Sequence, residues 1–242
     1  VPKNIKGLII AQPKMKRYLE MSARINDIYL EYVSEEDLFV YSIDESFLDV
    51  TRYLKRNNDT PKSYARKIIE EIRSKTGLTV TAGIGLNLFM AKSAMDIEAK
   101  HNPDFLAEWN YDSIPEHLWR VSPLSKMWGI GNRLEKKLNA LGFYCVGDIA
   151  VSDPEYLKKE LGVIGEEIYY HSLGYDDALL QESYHSQNQS LSCGQVLLRD
   201  YHKEEMVTLI RDMSLEISDR LHEEKKSARS FFLFLQRKDH YG

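Results

Sequence analysis

Two adjacent carboxylates, Asp44 and Glu45, interrupt an apolar, β-branched and aromatic run at Tyr41-Ser42-Ile43-Asp44-Glu45-Ser46-Phe47-Leu48-Asp49-Val50, and they constrain the fold more than any other feature. Leu38 to Ile43 and Phe47 to Thr51 are strand formers, and strand side chains alternate between faces. A core-packed hairpin therefore carries Asp44 and Glu45 at its rim, because a carboxylate inside the core is costly unless paired or metal-bound. Hard divalent cations take oxygen ligands, and Mg²⁺ commonly uses one or two protein carboxylates together with substrate phosphates. The same dipeptide also suits a plain polar turn.

The flanking segments supply an α/β pattern. Tyr18, Met21, Ile25, Ile28 and Tyr32 follow helical spacing between Pro13 and Val33, and Tyr64, Ala65, Ile68, Ile69 and Ile72 form a second helical stripe that starts at Pro61 and ends near Gly77. Leu78 to Ile84 reads as a strand, and Asn87 to about Lys100 as another helix. The order is helix, strand, strand, helix, strand, helix, which predicts two layers with helices on one face of a sheet. Lys92 and Lys100 stand eight residues apart, slightly over two helical turns, so both can project to one side and meet an anion together. Read without context they are equally two solvated lysines.

After Pro103 the chain turns to mixed polar residues with Trp109 and Trp119, then to short helices punctuated by glycines, a small helical domain. Within it Gly129-Ile130-Gly131 allows backbone conformations closed to other residues and lets main-chain N–H groups approach a phosphate. Asn132 is an expected N-cap of a helix packed through Leu134, Leu138 and Leu141, which Gly142 should end. An ordinary turn between two helices is the plain alternative. Gln181 to Ser192, rich in serine and glutamine, reads as a linker. A strand from Gln195 to Leu198, a helix with Met206, Ile210, Met213, Ile217 and Leu221 on one face, and a strand from Ser230 to Gln236 follow. Phe231-Phe232-Leu233-Phe234 is read as core strand rather than a base-stacking platform, and Phe39 and Tyr41 likewise as core.

Four stretches together resemble Y-family (translesion) DNA polymerases of the UmuC-like branch. YSIDESFLDVT is similar to the family's catalytic motif, and TAGIGLNLFMAKSAMDIEAKHNPDF, Thr81 to Phe105, resembles the second palm signature. MWGIGNRLEKKLNALGFYCVGDIA, Met127 to Ala150, resembles the helix-hairpin-helix of the thumb, and SLSCGQVLLRDY, Ser190 to Tyr201, the start of the little finger. The resemblance implies an α/β (α+β) palm sheet with helices on one face, a small all-α helix-hairpin-helix thumb and a partial α+β little finger. The implied divisions are 1–12 as a fingers remnant, 13–110 palm, 111–180 thumb, 181–190 linker and 191–242 little finger.

The resemblance further implies template-directed nucleotidyl transfer with two Mg²⁺ ions roughly 3.5–4 Å apart. Asp44 is expected to bridge both ions and Glu45 to bind the catalytic one. Lys100 is implied to contact the incoming triphosphate. Ser42 is implied near the primer end, and Lys92 nearer the DNA. Lys126, Gly129, Ile130, Gly131 and Arg133 form the expected DNA-backbone grip, indifferent to base sequence. Leu88 stands where many relatives have a basic residue, so no phosphate role attaches to it. Implied partners are primer–template DNA, deoxynucleoside triphosphates and a sliding clamp, in damage bypass and induced mutagenesis. The Val1-Pro2 start and the end at Gly242 lead to the expectation of a fragment lacking another metal-binding Asp and most of the fingers, inactive alone.

Composition excludes little. A net charge of −5 and a pI near 5.9 run against a uniformly basic nucleic-acid binder, but Lys126, Arg133, Lys136 and Lys137 gather around a single Glu135. No stretch approaches the roughly 20 apolar residues of a membrane span. Cys145 and Cys193 are too few for a disulfide framework and share no metal-ligand spacing with the histidines, so a reducing cytoplasm is expected and zinc is not. Two rival classes remain: a palm-type nucleotide cyclase, which has no reason to carry the hairpin thumb, and a non-catalytic DNA-binding protein, which has no need of the carboxylate pair.

Overall fold

A computed structural model describes residues 7, 9, 11–180, 189–197 and 199–235, in two compact units spanning 1–183 and 184–242. The first unit opens with helix α1 (Met15–Tyr29), followed by strands β1 (Leu38–Val40) and β2 (Ser46–Leu48). These pair antiparallel in the register Leu38↔Leu48, Phe39↔Phe47 and Val40↔Ser46. The amides of Tyr41 and Ser42 both donate to the Glu45 carbonyl at 3.0 Å, so the hairpin closes around Asp44-Glu45. The strands are shorter than their apolar runs. Asp49 Oδ1 accepts from the Thr51 amide at 2.9 Å, stopping β2 and starting helix α2 (Thr51–Asn57) where the sequence reads as strand. Phe39 and Tyr41, expected in the core, are 38% and 43% exposed, because β1 lies at the edge of a two-stranded ladder.

Helix α3 (Pro61–Thr76) carries the Pro61 start and the Gly77 stop read from its sequence, and a Thr60 cap besides. The Thr60 hydroxyl accepts from the Ser63 amide, Pro61 occupies the first turn, and Gly77 takes φ 73° beyond the last turn. Its buried face of Tyr64, Ile68 and Ile72 meets Ile28 of α1 in a small core, and Tyr64 donates to the Tyr32 carbonyl at 2.7 Å.

Strand β3 (Ala82–Ile84) is shorter than the expected 78–84 run, and helix α4 (Leu88–Ile97) leads from it to strand β4 (Leu106–Glu108). β3 and β4 pair in parallel, Ala82↔Leu106, making a β-α-β crossover. β4 is not legible in the sequence: it is three residues without a β-branched side chain. α4 lies so close to β3 that a Cβ at Gly83 would sit 2.0 Å from the Ala91 carbonyl oxygen, and one at Gly85 2.4 Å from the Ala91 amide. The expected single sheet is two short ladders, β1–β2 and β3–β4, and both β2 and β3 line a cleft of about 460 Å³.

Short helices follow: α5 (Ile114–His117), α6 (Asn132–Ala140), α7 (Val146–Ala150), α8 (Pro154–Leu161) and α9 (Val163–Ser172). Their core is continuous with α4, joining Phe89 and Met90 to Trp109, Ile114, Leu118, Leu138, Leu157 and Ile168. Asn132 does not cap α6; Gly131 takes that position in extended backbone, with no side-chain cap. Gly142, φ 96°, ends the helix as its sequence indicates. Its amide donates to the Asn139 carbonyl at 3.1 Å and that of Phe143 to the Leu138 carbonyl at 3.0 Å, a Schellman closure.

The second unit contains helix α10 (Lys203–Glu223), capped by Glu205 accepting from the His202 amide at 2.9 Å. Met206, Ile210, Met213, Ile217 and Leu221 are half-buried on one face. Residues 195–197 and 230–235, expected as strands, make no ladder among the described residues; Leu198 and Gln236 lie outside them, as do 181–188 of the expected linker. Phe231, Phe232 and Phe234 are 91%, 94% and 86% exposed rather than core. A strand without a neighbour is not stable by itself, whatever its propensity.

Gly83→Ala should lower stability by about 1–3 kcal/mol, since the added methyl meets backbone rather than a movable side chain. Urea unfolding of the two proteins checks this.

Candidate metal and nucleotide site

The hairpin turn presents Asp44 to solvent, with Oδ1 accepting from the Ser42 hydroxyl at 2.8 Å. Glu45 turns inward. Its Oε1 lies 2.6 Å from the Lys92 ammonium, which α4 delivers because the glycines of β3 admit that helix at close range. Lys92 also lies 3.0 Å from Asp96 Oδ2, and Lys100 lies 2.6 Å from Asp96 Oδ1. Read from the sequence as nearer the DNA, Lys92 is instead 8% exposed and engaged by two carboxylates. Lys100 belongs not to α4 but to a 3₁₀ turn, Ala99–His101, and remains accessible. The two lysines do converge on one anion, and that anion is Asp96.

Charge pairing decides the ionisation here. Burial disfavours a charged Lys92, but hydrogen bonds and attraction from Glu45 and Asp96 outweigh it and raise its pKa above the ordinary lysine value. Burial likewise opposes ionisation of Asp96, and the two lysines overcome it and hold its pKa low. Among the described residues no three His, Cys, Asp or Glu side chains converge as a ready metal cluster. Asp44 and Glu45 fit Mg²⁺ in donor type and in number, as two carboxylates that leave further positions to substrate oxygens.

The helical region places a second group of expected residues. Lys126, Gly129, Gly131 and Arg133 are exposed, whereas Ile130 is buried and its amide donates to the Met127 carbonyl at 3.1 Å. Ile130 therefore anchors the loop instead of presenting itself to a ligand. Gly129 has φ 90°, a turn conformation that the glycine makes accessible. The opening turn of α6 has backbone amides without intrahelical partners, the groups that favour an anion. Trp128 connects the two sites, with ring centroids 6.0 Å from Tyr41, 6.4 Å from Phe47 and 6.4 Å from Phe89.

Sequence reasoning missed Asp96, although it stands four residues from both Lys92 and Lys100, a pairing distance on a helix. It also missed the clamp that joins α4 to the segment after α9. Asn87 donates to the Gly174 carbonyl at 2.7 Å, the Phe89 amide donates to Asp176 Oδ2 at 2.9 Å, and Phe89 stacks on His171 at 4.4 Å. These partners lie more than eighty residues apart, and no local pattern joins them.

The first unit combines a carboxylate-tipped hairpin with a following run of short helices. Comparison with known proteins places the chain in a family. The impB/mucB/samB family profile matches residues 1–96, and that of the family's helix-hairpin-helix motif matches 111–143. YobH of Bacillus subtilis, a DNA repair protein homolog, is 36% identical over 170 residues, 70% of this chain and 78% of that protein. UvrX of the same organism, named for UV-damage repair, is 35% identical over 93% of this chain and 53% of its own length. B. subtilis DNA polymerase IV 2 is 30% identical over 88% of this chain and 51% of its own. Among solved structures, DinB from Sulfolobus solfataricus superposes with a TM-score of 0.57 at 27% identity, covering 69% of this chain and 47% of that one. An insertion ternary complex of Dbh DNA polymerase gives 0.59 at 27% identity, covering 71% and 48%. The chain belongs to the impB/mucB/samB family, the Y-family DNA polymerases, and spans about half the length of UvrX and DNA polymerase IV 2. Among the described residues no helix is long and apolar enough to cross a membrane.

Asp176→Ala should loosen the clamp and cost about 1–3 kcal/mol. Burial works against ionisation of this carboxyl, but hydrogen bonds from His171 and from the Ala178 and Phe89 amides prevail, and its pKa lies below the ordinary value. With the folded-state pKa depressed, the ionised carboxylate contributes fully above the unfolded value near 3.9 and loses its contribution as pH falls through the folded one. Urea midpoints should therefore differ between wild type and variant at pH 6 and approach each other below about pH 3.

Proposed function

We propose that this chain forms the palm and DNA-gripping thumb of a translesion-type, template-directed DNA polymerase, with 13–110 as palm, 111–180 as thumb and 191–242 entering the little finger. The observation that carries the reading is the hairpin rim Asp44-Glu45, tied by Glu45 to Lys92 on the helix whose continuation bears the accessible Lys100. In that arrangement Asp44 and Glu45 would hold two Mg²⁺ ions, which when bound supply activation of a primer hydroxyl and neutralisation of a leaving pyrophosphate. Lys100 faces the anionic triphosphate, and it can exchange its exposed pairing with Asp96 for a phosphate oxygen at little cost. Ser42, bonded to Asp44, steadies the first carboxylate at the primer side.

The exposed Lys126 and Arg133 beside Gly129 and Gly131 grip the duplex through its phosphates, so affinity is independent of base sequence. DNA and nucleotide as partners are supported by the ternary complex among the structural neighbours. A sliding clamp and the bypass of damaged bases enter through family membership alone.

A polypeptide extending this chain to the full length of its relatives should extend a primed template with Mg²⁺ and deoxynucleoside triphosphates. Asp44→Ala should slow extension by at least about a thousandfold while DNA affinity changes little. Undiminished extension by the variant removes the assignment. In the 242-residue chain, Lys126→Ala and Arg133→Ala should each weaken duplex binding alike for all sequences. Each should lower the slope of log affinity against log salt by about one, read by fluorescence anisotropy from 50 to 200 mM salt.

A further inference from the structure

Four side chains alternate in sign along a chain of ion pairs that starts at the cleft: Glu45, Lys92, Asp96 and Lys100. Lys92 Nζ sits 2.6 Å from Glu45 Oε1 and 3.0 Å from Asp96 Oδ2, and Lys100 Nζ takes the other oxygen of Asp96 at 2.6 Å. The Lys92 side chain is 9% exposed, whereas those of Glu45 and Asp96 are 25% and 28% exposed, and Glu45 and Lys92 line the cleft. An ammonium this deep requires carboxylate partners. It has two of them at comparable distances on different elements, so it has two seats.

Ordinary bridging does not account for the choice of Glu45 as one seat. That carboxylate is also a proposed divalent-ion ligand, and one carboxylate cannot hold an ammonium and a divalent cation at close range without strong like-charge repulsion between them. Resting on that reading of the hairpin, we propose that Lys92 is a resident counter-cation. In the ion-free protein its ammonium neutralises Glu45 and keeps it aimed at the cleft. When a divalent ion binds, Lys92 withdraws along its flexible stem onto Asp96. Asp96 is then the positioning residue that receives Lys92. Lys100, sharing the same carboxylate, is loosened on the exposed side, where an anionic ligand would meet it. Occupation of the hairpin by a cation and release of Lys100 are thereby coupled through one side chain.

Mn²⁺ alone, titrated calorimetrically at fixed ionic strength into a polypeptide extending this chain to the full length of its relatives, tests this. Wild type should bind weakly. Lys92→Met, which removes the competing charge, should bind about tenfold more tightly or better. Asp96→Asn, which removes the alternative seat, should bind several-fold more weakly than wild type, and adding Glu45→Gln to Lys92→Met should abolish its gain. Binding by a folded Lys92→Met that is unchanged or weaker, while wild-type binding still depends on Asp44 and Glu45, overturns the proposal and makes Lys92 a fixed strut. If neither wild type nor Lys92→Met binds Mn²⁺, the metal-site reading fails and takes the proposal with it. If Lys92→Met does not fold, Mg²⁺ titration of wild type decides: the Lys92 side-chain Cε resonance should move with saturation, and a resonance that stays still overturns the proposal.

Discussion

The buried ammonium of Lys92 is the interaction around which the site is assembled. It ties a hairpin, whose strands pair with no other strand among the described residues, to the helix that crosses from β3 to β4. Its geometry depends on glycine. Only without side chains at Gly83 and Gly85 can α4 lie close enough to β3 for Lys92 to span the cleft and reach Glu45. A buried ammonium with one carboxylate partner would be a liability; with Glu45 and Asp96 both at hand its charge is retained despite desolvation.

The second organising element is aromatic. Trp128 stands immediately before Gly129 and packs against Tyr41 and Phe47 of the hairpin and Phe89 of α4, while Phe89 stacks in turn on His171 of α9. Rings at these separations add an orientational preference to the apolar area they bury. Together with Asn87, Gly174 and Asp176 they hold the carboxylate hairpin and the basic loop in one unit. The spacing between loop and hairpin is thereby constrained, which is what the proposed template-directed reaction would need.

Much of this was legible locally. Pro61 and Gly77 bracket α3, Gly142 ends α6, and the alternation around Asp44-Glu45 describes a hairpin with its acids at the turn. The failures share a cause. β4 carries no strand signature and exists because the edge of β3 accepts it. The aromatic run Phe231–Phe234 has every strand signature and pairs with nothing among the described residues. Strand formation is settled by the neighbour, which lies far away in sequence. Ile130 is expected to offer its main-chain N–H to a phosphate and Asn132 its side chain to a helix start, but the Ile130 amide donates to the Met127 carbonyl and a one-residue shift of the helix start moves Asn132 off the cap.

By itself, the order of residues determined the chemistry on offer: paired acids at a turn, two lysines eight apart with an aspartate midway, and a glycine-flanked basic loop. Those follow from residue type and helical or strand period, which are local properties. Only the tertiary structure decided that Lys92 faces inward to Glu45 while Lys100 stays accessible, although both are lysines near one helix. Solvation is the reason: a side chain's charge has the same sign everywhere, but whether it meets water, a carboxylate or a ligand depends on which distant segment closes over it.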